Sequence, residues 1–130
     1  MFAGEVDLNT WYKPKIDKKT LKELSKRSDS KGLIDISVFI VALLLSGYLC
    51  VVSWGTLWSI PALLLYGNIF YCKIISIQHE TNHETYFKTR ALNKFFYHIT
   101  SLLGGFEAVR WKWSHFHHHT YTIFTHEEVY

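Results

Sequence analysis

The sequence predicts an all-α integral membrane protein, in which a helical transmembrane hairpin is followed by cytoplasmic or interfacial helices that carry histidine-rich motifs. Three observations predict this architecture. The fourteen Lys and Arg residues fall as eight within residues 1–32, none within 33–72 and six from 73 onward. The stretch without basic residues is strongly apolar and has Asp35 as its one acid. All eight histidines follow that stretch.

Residues 1–32 are predicted to form a basic cytoplasmic arm. Its segment KKTLKELSKR has two leucines three positions apart, Leu21 and Leu24. On a short amphipathic helix these leucines would rest on the membrane while the lysines meet anionic headgroups. A solvated arm explains the same charges equally well. We do not expect nucleic-acid binding, because no aromatic-rich face accompanies the basic residues.

The apolar stretch is long enough for two membrane crossings. A helix rises about 1.5 Å per residue and the hydrocarbon layer is about 30 Å thick, so one crossing takes roughly twenty residues. We predict spans over about residues 33–53 and 57–75, with Gly55 in the turn and Trp54 and Trp58 beside it. Because basic residues concentrate on the cytoplasmic side, both ends of the hairpin are expected there. The alternative is a pair of buried helices in a soluble protein.

Polar residues inside the predicted spans are few. Asn68 and Lys73 lie towards the inner end of the second span. Side chains at that depth face a bundle interior or extend to the membrane surface, and for Lys73 we predict the second arrangement. Cys50 and Cys72 are interpreted as packing residues.

The first histidine motif is His79-Glu80-Thr81-Asn82-His83. If the helix of the second span continues inward, the two imidazoles project from one face and can hold one metal ion. The letters also match the zinc-peptidase signature H-E-x-x-H, in which Glu80 would be the catalytic base. Two histidines at this spacing also occur by coincidence on protein surfaces.

The second motif lies in VRWKWSHFHHHTYT, residues 109–122. On a helix, His115, His118 and His119 share one face, whereas His117 points elsewhere. Two such clusters beside a membrane hairpin are difficult to explain as solvated surface. The sequence therefore predicts a metal centre whose ligands are His79, His83, His115, His118 and His119.

Together, the pattern H-x-x-x-H at 79–83 and H-x-x-H-H at 115–119, with Trp111 and Ser114 leading into the second as W-x-x-S-H, resembles the membrane fatty acid desaturases over about residues 33–122. The resemblance implies a di-iron oxygenase whose histidine boxes face the cytoplasm. It also implies a fatty acyl lipid substrate, dioxygen and an external electron donor of the ferredoxin or cytochrome type. An acid often follows the first histidine in that family, so Glu80 need not be a catalytic base.

Three alternatives stay open at this point. Within the same chemistry, the protein is a hydroxylase or ketolase that acts on alkyl or carotenoid substrates. In a different class, it is a membrane zinc peptidase that uses His79, Glu80 and His83, which would leave the second cluster without a role. The third alternative is a non-catalytic metal-binding membrane fragment.

Ligand counting predicts that residues 33–130 form only part of a desaturase domain. One iron with open positions takes about three protein ligands, so two irons take about six. The five predicted ligands fall short of that number, and the family carries a third histidine box. We therefore expect an N-terminal fragment that is inactive alone.

The remaining residues of the histidine-rich region receive smaller roles. His98 is interpreted as structural, His117 as exposed or adjacent to the ligands, and His126 as a surface residue. Glu107, Arg110 and Lys112 would orient histidines or meet a lipid headgroup, and an interfacial charge cluster explains them equally well. The pair Gly104 and Gly105 is expected to end the helix that precedes the second motif.

Overall fold

The computed structural model describes residues 15–121, and all regular structure within that range is helical. This confirms the predicted all-α class. The first helix falls within the KKTLKELSKR segment, where the Asp17 carboxylate accepts the Thr20 N–H at 3.0 Å as an N-cap. Residues 1–14 of the predicted arm lie outside the described range. The helices are α1 Lys18–Leu24, α2 Asp29–Val52, α3 Ser59–Asn82, α4 Arg90–Leu103 and α5 Ala108–Tyr121.

The helices α2 and α3 form the predicted hairpin, and each is long and apolar enough to cross a membrane. Gly55 turns the chain between them in the left-handed region, at φ 78°. Both helices extend beyond the predicted spans, because α2 begins at Asp29 and α3 continues to Asn82. Within the described residues, only 17% of the most apolar 18-residue segment of each helix is buried against protein. That exposure disfavours two core helices of a soluble protein.

The apolar core lies where α2 begins and α3 ends, which is called the inner end of the hairpin here and below. Ile36 of α2, Ile77 of α3 and Phe87 of the α3–α4 connection pack together, and Phe87 is completely buried. Gly32 permits this packing, since a Cβ at that position would lie 2.6 Å from the Phe87 ring. Asn93 holds the same connection, because its side chain accepts the Phe87 N–H at 3.0 Å and donates to the Phe87 carbonyl at 2.9 Å.

An ion pair joins α2 and α3 beside this core. Lys73 Nζ lies 2.6 Å from Asp35 Oδ2, and the Tyr86 hydroxyl donates to the same carboxylate. The expectation that Lys73 extends to the membrane surface is therefore wrong, because a carboxylate across the hairpin offers it a closer partner. Burial and the hydrogen bond to Asp35 raise the pKa of Tyr86.

The helix α4 packs against the inner end of α3 and ends as predicted at the glycine pair. Gly105 adopts φ 74°, and its N–H donates to the Leu102 carbonyl at 3.2 Å. The Phe106 N–H donates to the Ser101 carbonyl at 2.8 Å. These two bonds form a Schellman cap, which turns the chain from α4 into α5.

Candidate metal centre

The last turn of α3 carries the first histidine pair. Because the helix continues to Asn82, His79 and the C-cap residue His83 lie one turn apart on the same side. Their ring centroids are 4.8 Å apart in an edge-to-face arrangement. One continuous helix therefore runs from the apolar segment through the first motif, as the shared face of the two histidines requires.

A second Schellman cap fixes the position of His83. The Glu84 N–H donates to the Thr81 carbonyl at 3.1 Å, and the Thr85 N–H donates to the Glu80 carbonyl at 3.0 Å. Glu84 occupies the left-handed position of this cap at φ 56°, where glycine is the usual residue. The chain then turns back towards α2, where the Thr89 N–H and hydroxyl both donate to the Asp29 carboxylate, at 2.8 and 2.7 Å.

The helix α5 brings the second histidine cluster to the first. Its N-terminus is capped by Glu107, whose carboxylate accepts the backbone N–H groups of Val109 at 3.1 Å and Arg110 at 2.5 Å. Glu107 thus fixes the start of α5, a role that the sequence analysis did not name. Two turns later, His115 and His119 place their ring centroids 4.5 Å apart.

Four imidazoles from the two helices converge in one group. Candidate ligand nitrogens of His79, His83, His115 and His119 all lie within 4.8 Å of one another. The Nε2 atom of His115 is 2.9 Å from that of His83 and 3.0 Å from that of His119. With metal–nitrogen bonds of about 2.1 Å, adjacent octahedral ligands lie about 3.0 Å apart and opposite ones about 4.2 Å apart. The four side chains therefore fit one metal ion after small adjustments.

The group also favours the protonation state that a metal needs. Burial, followed by the proximity of the other imidazoles, lowers the pKa of His115 to about 4. Burial and the neighbouring His79 and His119 lower the pKa of His83 as well. Metal ligands must be neutral imidazoles, so both side chains are in the binding form at neutral pH.

Trp111 supports the group in a way that the sequence analysis did not anticipate. Its ring stacks on His115 at a centroid distance of 4.5 Å and an interplanar angle of 13°, and its edge approaches His79 at 6.4 Å. The available signal was the spacing of four residues between Trp111 and His115, which places both side chains on one face of a helix.

His118, the fifth predicted ligand, lies beside the group rather than in it. Its ring centroid is 6.3 Å from that of His115 and 5.8 Å from that of His119. The ring faces the same side of α5 as those two residues, so its assignment as a metal ligand stays a prediction.

Two other histidines of the described range also lie outside the group. His117 stacks on Tyr121 at 5.6 Å, and His98 of α4 approaches the ring of its neighbour Tyr97 at 5.5 Å. Glu80 is exposed and does not belong to the group. The prediction for His126 lies outside the described residues.

The composition of the group indicates its chemistry. A catalytic zinc ion typically has three protein ligands and one open position, which four imidazoles around a tetrahedral ion would fill. Iron also accepts imidazole ligands, and with six coordination positions it keeps open sites beside four of them. The donor set therefore suits an iron ion better than a hydrolytic zinc ion.

Comparison with known proteins gives a match to a protein family. The family model for fatty acid desaturases matches residues 58–129. This range contains α3, α4, α5 and all five predicted ligands, whereas α2, which the sequence resemblance included, lies outside it. No curated protein and no solved structure matches the chain. Because the match covers more than half of the 130 residues, the chain belongs to the fatty acid desaturase family.

Proposed function

We propose that this chain forms part of a membrane di-iron oxidoreductase that introduces a double bond into a fatty acyl chain. The observation that carries the proposal is the convergence of four imidazoles from α3 and α5 within 4.8 Å, inside the region that matches the desaturase family. The zinc-peptidase alternative loses support, since it would use Glu80 and leave α5 without a role.

In this proposal α2 and α3 span the membrane, and the N-terminal arm and the histidines face the cytoplasm. Twenty residues separate Ser59 from His79, which corresponds to about 30 Å of helix and to the thickness of the hydrocarbon layer. The metal centre therefore lies at the membrane surface, within reach of a lipid acyl chain.

The reaction removes two hydrogen atoms from adjacent methylene groups and reduces dioxygen to two molecules of water. It needs two protons and two electrons, and the electrons come from an external donor of the ferredoxin or cytochrome type. Bound iron supplies the oxidising power for breaking unactivated carbon–hydrogen bonds. The chain's own residues hold and orient the site. The histidines would bind as neutral ligands, and Trp111 covers one face of His115.

The described histidines are too few to hold two irons. In this proposal four imidazoles bind one iron and His118 is assigned to a second, but two irons take about six protein ligands. We assign the missing ligands to further polypeptide that carries a third histidine box. The 130-residue chain alone should then lack desaturase activity.

Metal analysis tests the proposal. The purified chain in lipid nanodiscs, loaded anaerobically with an excess of ferrous iron, should retain about one iron per chain. His115→Ala should lose it, while His117→Ala, on the same helix but outside the group, should keep it. Failure to bind iron, or iron binding that His115→Ala leaves unchanged, would contradict the proposal.

Lipid analysis tests whether the isolated chain is active. Membranes of cells that express the isolated chain should show no new double bonds. Acyl chains that gain an oxygen atom instead of losing two hydrogens would identify a hydroxylase. Full desaturation by the isolated chain with two irons bound would overturn the ligand count.

A further inference from the structure

The helix α5 carries two of the four converging histidines, yet none of its residues is buried within the described range. A helix that buries no side chain is not held in place by apolar packing. Its position depends instead on the contacts at its start. These contacts must be firm, because His115 lies about 10 Å along the helix from Ala108, and a tilt of roughly 10° there would move it by about 2 Å.

Tyr97 of α4 makes a direct hydrogen bond to the start of α5. Its hydroxyl donates at 2.5 Å to the carbonyl of Ala108, the first residue of α5. The bond spans the turn at Gly104 and Gly105 and joins residues eleven positions apart. Tyr97 is buried as well, so packing restricts the position of its ring. The hydroxyl is therefore placed to fix where α5 begins.

The helix α4 is itself fixed against α3, which carries the first histidine pair. Leu92 and Phe96 pack against the apolar core at the inner end of the hairpin. The Asn93 side chain bonds the α3–α4 connection, and Tyr97 follows one turn later on the same side of the helix. The buried connection from the first histidine pair to α5 therefore runs through α4.

A buried amide joins α3 to α4 next to Tyr97. Gln78, which directly precedes His79, is completely buried, and its Nε2 donates to Ser101 Oγ at 3.5 Å. Ser101 in turn interacts with Tyr97, because burial raises the pKa of Tyr97 and the Ser101 hydroxyl opposes this shift. The Gln78 Oε1 atom has no hydrogen-bond partner among the described residues. An unpaired buried oxygen is destabilising, so stability alone does not account for a glutamine at this position.

We propose that Tyr97 and Gln78 are positioning residues of the candidate metal centre. Gln78 and Ser101 fix the Tyr97 hydroxyl relative to the last turns of α3. This hydroxyl holds the first carbonyl of α5, so that His115 and His119 meet the histidine pair of α3. The inference rests on the proposed metal centre for its function, whereas the placement of α5 by these bonds requires no metal.

Distances in the metal-free chain test the placement. In a background in which serine replaces both cysteines, spin labels are placed at exposed positions by Leu65→Cys on α3 and Phe116→Cys on α5. The full chain is reconstituted in nanodiscs with a chelator present. Pulsed dipolar spectroscopy should give one narrow distance distribution, which Tyr97→Phe broadens at least twofold. Tyr48→Phe, the same change at an exposed tyrosine of α2, should leave the distribution as it is.

Iron binding tests what the placement is for. Competition with a ferrous chelator should show an iron affinity about 10-fold to 100-fold lower in Tyr97→Phe. X-ray absorption should show the imidazoles per iron falling from about four towards the two of α3. Gln78→Met exchanges the amide for an apolar side chain of similar volume. It should lower the iron affinity several-fold, while the unfolding midpoint of the metal-free chain stays the same or rises.

Two results would overturn the proposal. The first is a distance distribution and an iron affinity that Tyr97→Phe leaves unchanged. The second is a loss of iron affinity that occurs in both variants only in step with a lowered unfolding midpoint of the metal-free chain, because that would reduce both residues to a general structural role. An unsubstituted chain that binds no iron, but whose distance distribution Tyr97→Phe broadens, would support the placement and contradict the proposed function alone.

Discussion

The two ends of the α2–α3 hairpin differ in what stabilises them. At the outer end the helices expose Leu44, Val51 and Leu63, and a short turn around Gly55 joins them. At the inner end the same helices are joined by a buried core around Phe87, by the pair of Lys73 with Asp35 and by hydrogen bonds to the α3–α4 connection. The apolar side chains of the outer end are therefore left exposed by the rest of the described protein, whereas specific side-chain contacts determine the inner end.

This difference concerns the candidate metal centre directly. A metal site needs ligand atoms held within a fraction of an ångström, which a fluid lipid environment cannot supply. The histidines accordingly lie at the end of the hairpin where protein contacts fix both helix termini. The caps at Glu84 and Gly105 and the N-cap at Glu107 determine where α3 ends and where α5 begins.

The largest effect is expected from truncation of the inner core. Phe87→Ala removes a completely buried ring and should lower the free energy of unfolding by about 3–5 kcal/mol. Leu44→Ala, in the exposed part of α2, should change it by less than about 0.5 kcal/mol. Thermal unfolding in detergent micelles measures both variants. Equal losses would remove the distinction between the two ends.

Two glycines on the hairpin sharpen the comparison, because replacing each by alanine should change the free energy of unfolding in opposite directions. Gly32→Ala drives a methyl group into the Phe87 ring and should cost about 1–3 kcal/mol. At Gly67, in the middle of α3, a Cβ meets nothing within 4 Å, so Gly67→Ala should stabilise the helix by up to about 1 kcal/mol. The same unfolding measurement applies, and destabilisation by both variants to the same degree would contradict the account.

The smallest effects are expected at the two caps. Gly105→Ala places a side chain at φ 74° and should cost about 1 kcal/mol. Glu84→Gly should relieve a similar strain at φ 56°, and the loss of the exposed pair with Arg90 offsets this by a few tenths of a kcal/mol. Differential scanning calorimetry in micelles should give midpoint shifts of opposite direction. A lowered midpoint for Glu84→Gly would show that the ion pair outweighs the backbone strain.

Local sequence patterns were sufficient for much of this architecture. The distribution of Lys and Arg predicted the hairpin, Gly55 its turn, and the pair Gly104 and Gly105 the end of α4. The spacing of the histidines predicted the shared faces of α3 and α5. Each of these features depends on residues that are close together in the chain.

The features that the sequence analysis did not predict depend on residues that are far apart in the chain or on which face of a helix packs against the protein. The partner of Lys73 lies 38 positions away on the other helix of the hairpin. The segment FFYHITSLLGGF is mainly apolar, and this composition does not indicate that α4 buries Asn93 and Ser101 and exposes Leu102. A glutamate in the left-handed position of a helix cap, such as Glu84, carries no local signal, because glycine is the residue expected there.

The central claim is that His79 and His83 of α3 share one metal ion with His115 and His119 of α5. X-ray absorption spectroscopy of the iron-loaded chain in nanodiscs tests this most directly, because it counts the imidazoles around the metal. The account predicts about four imidazoles per iron in the unsubstituted chain, about three in a partly loaded His119→Ala variant, and no change in His117→Ala. Two imidazoles per iron, or a change caused by His117→Ala, would contradict it.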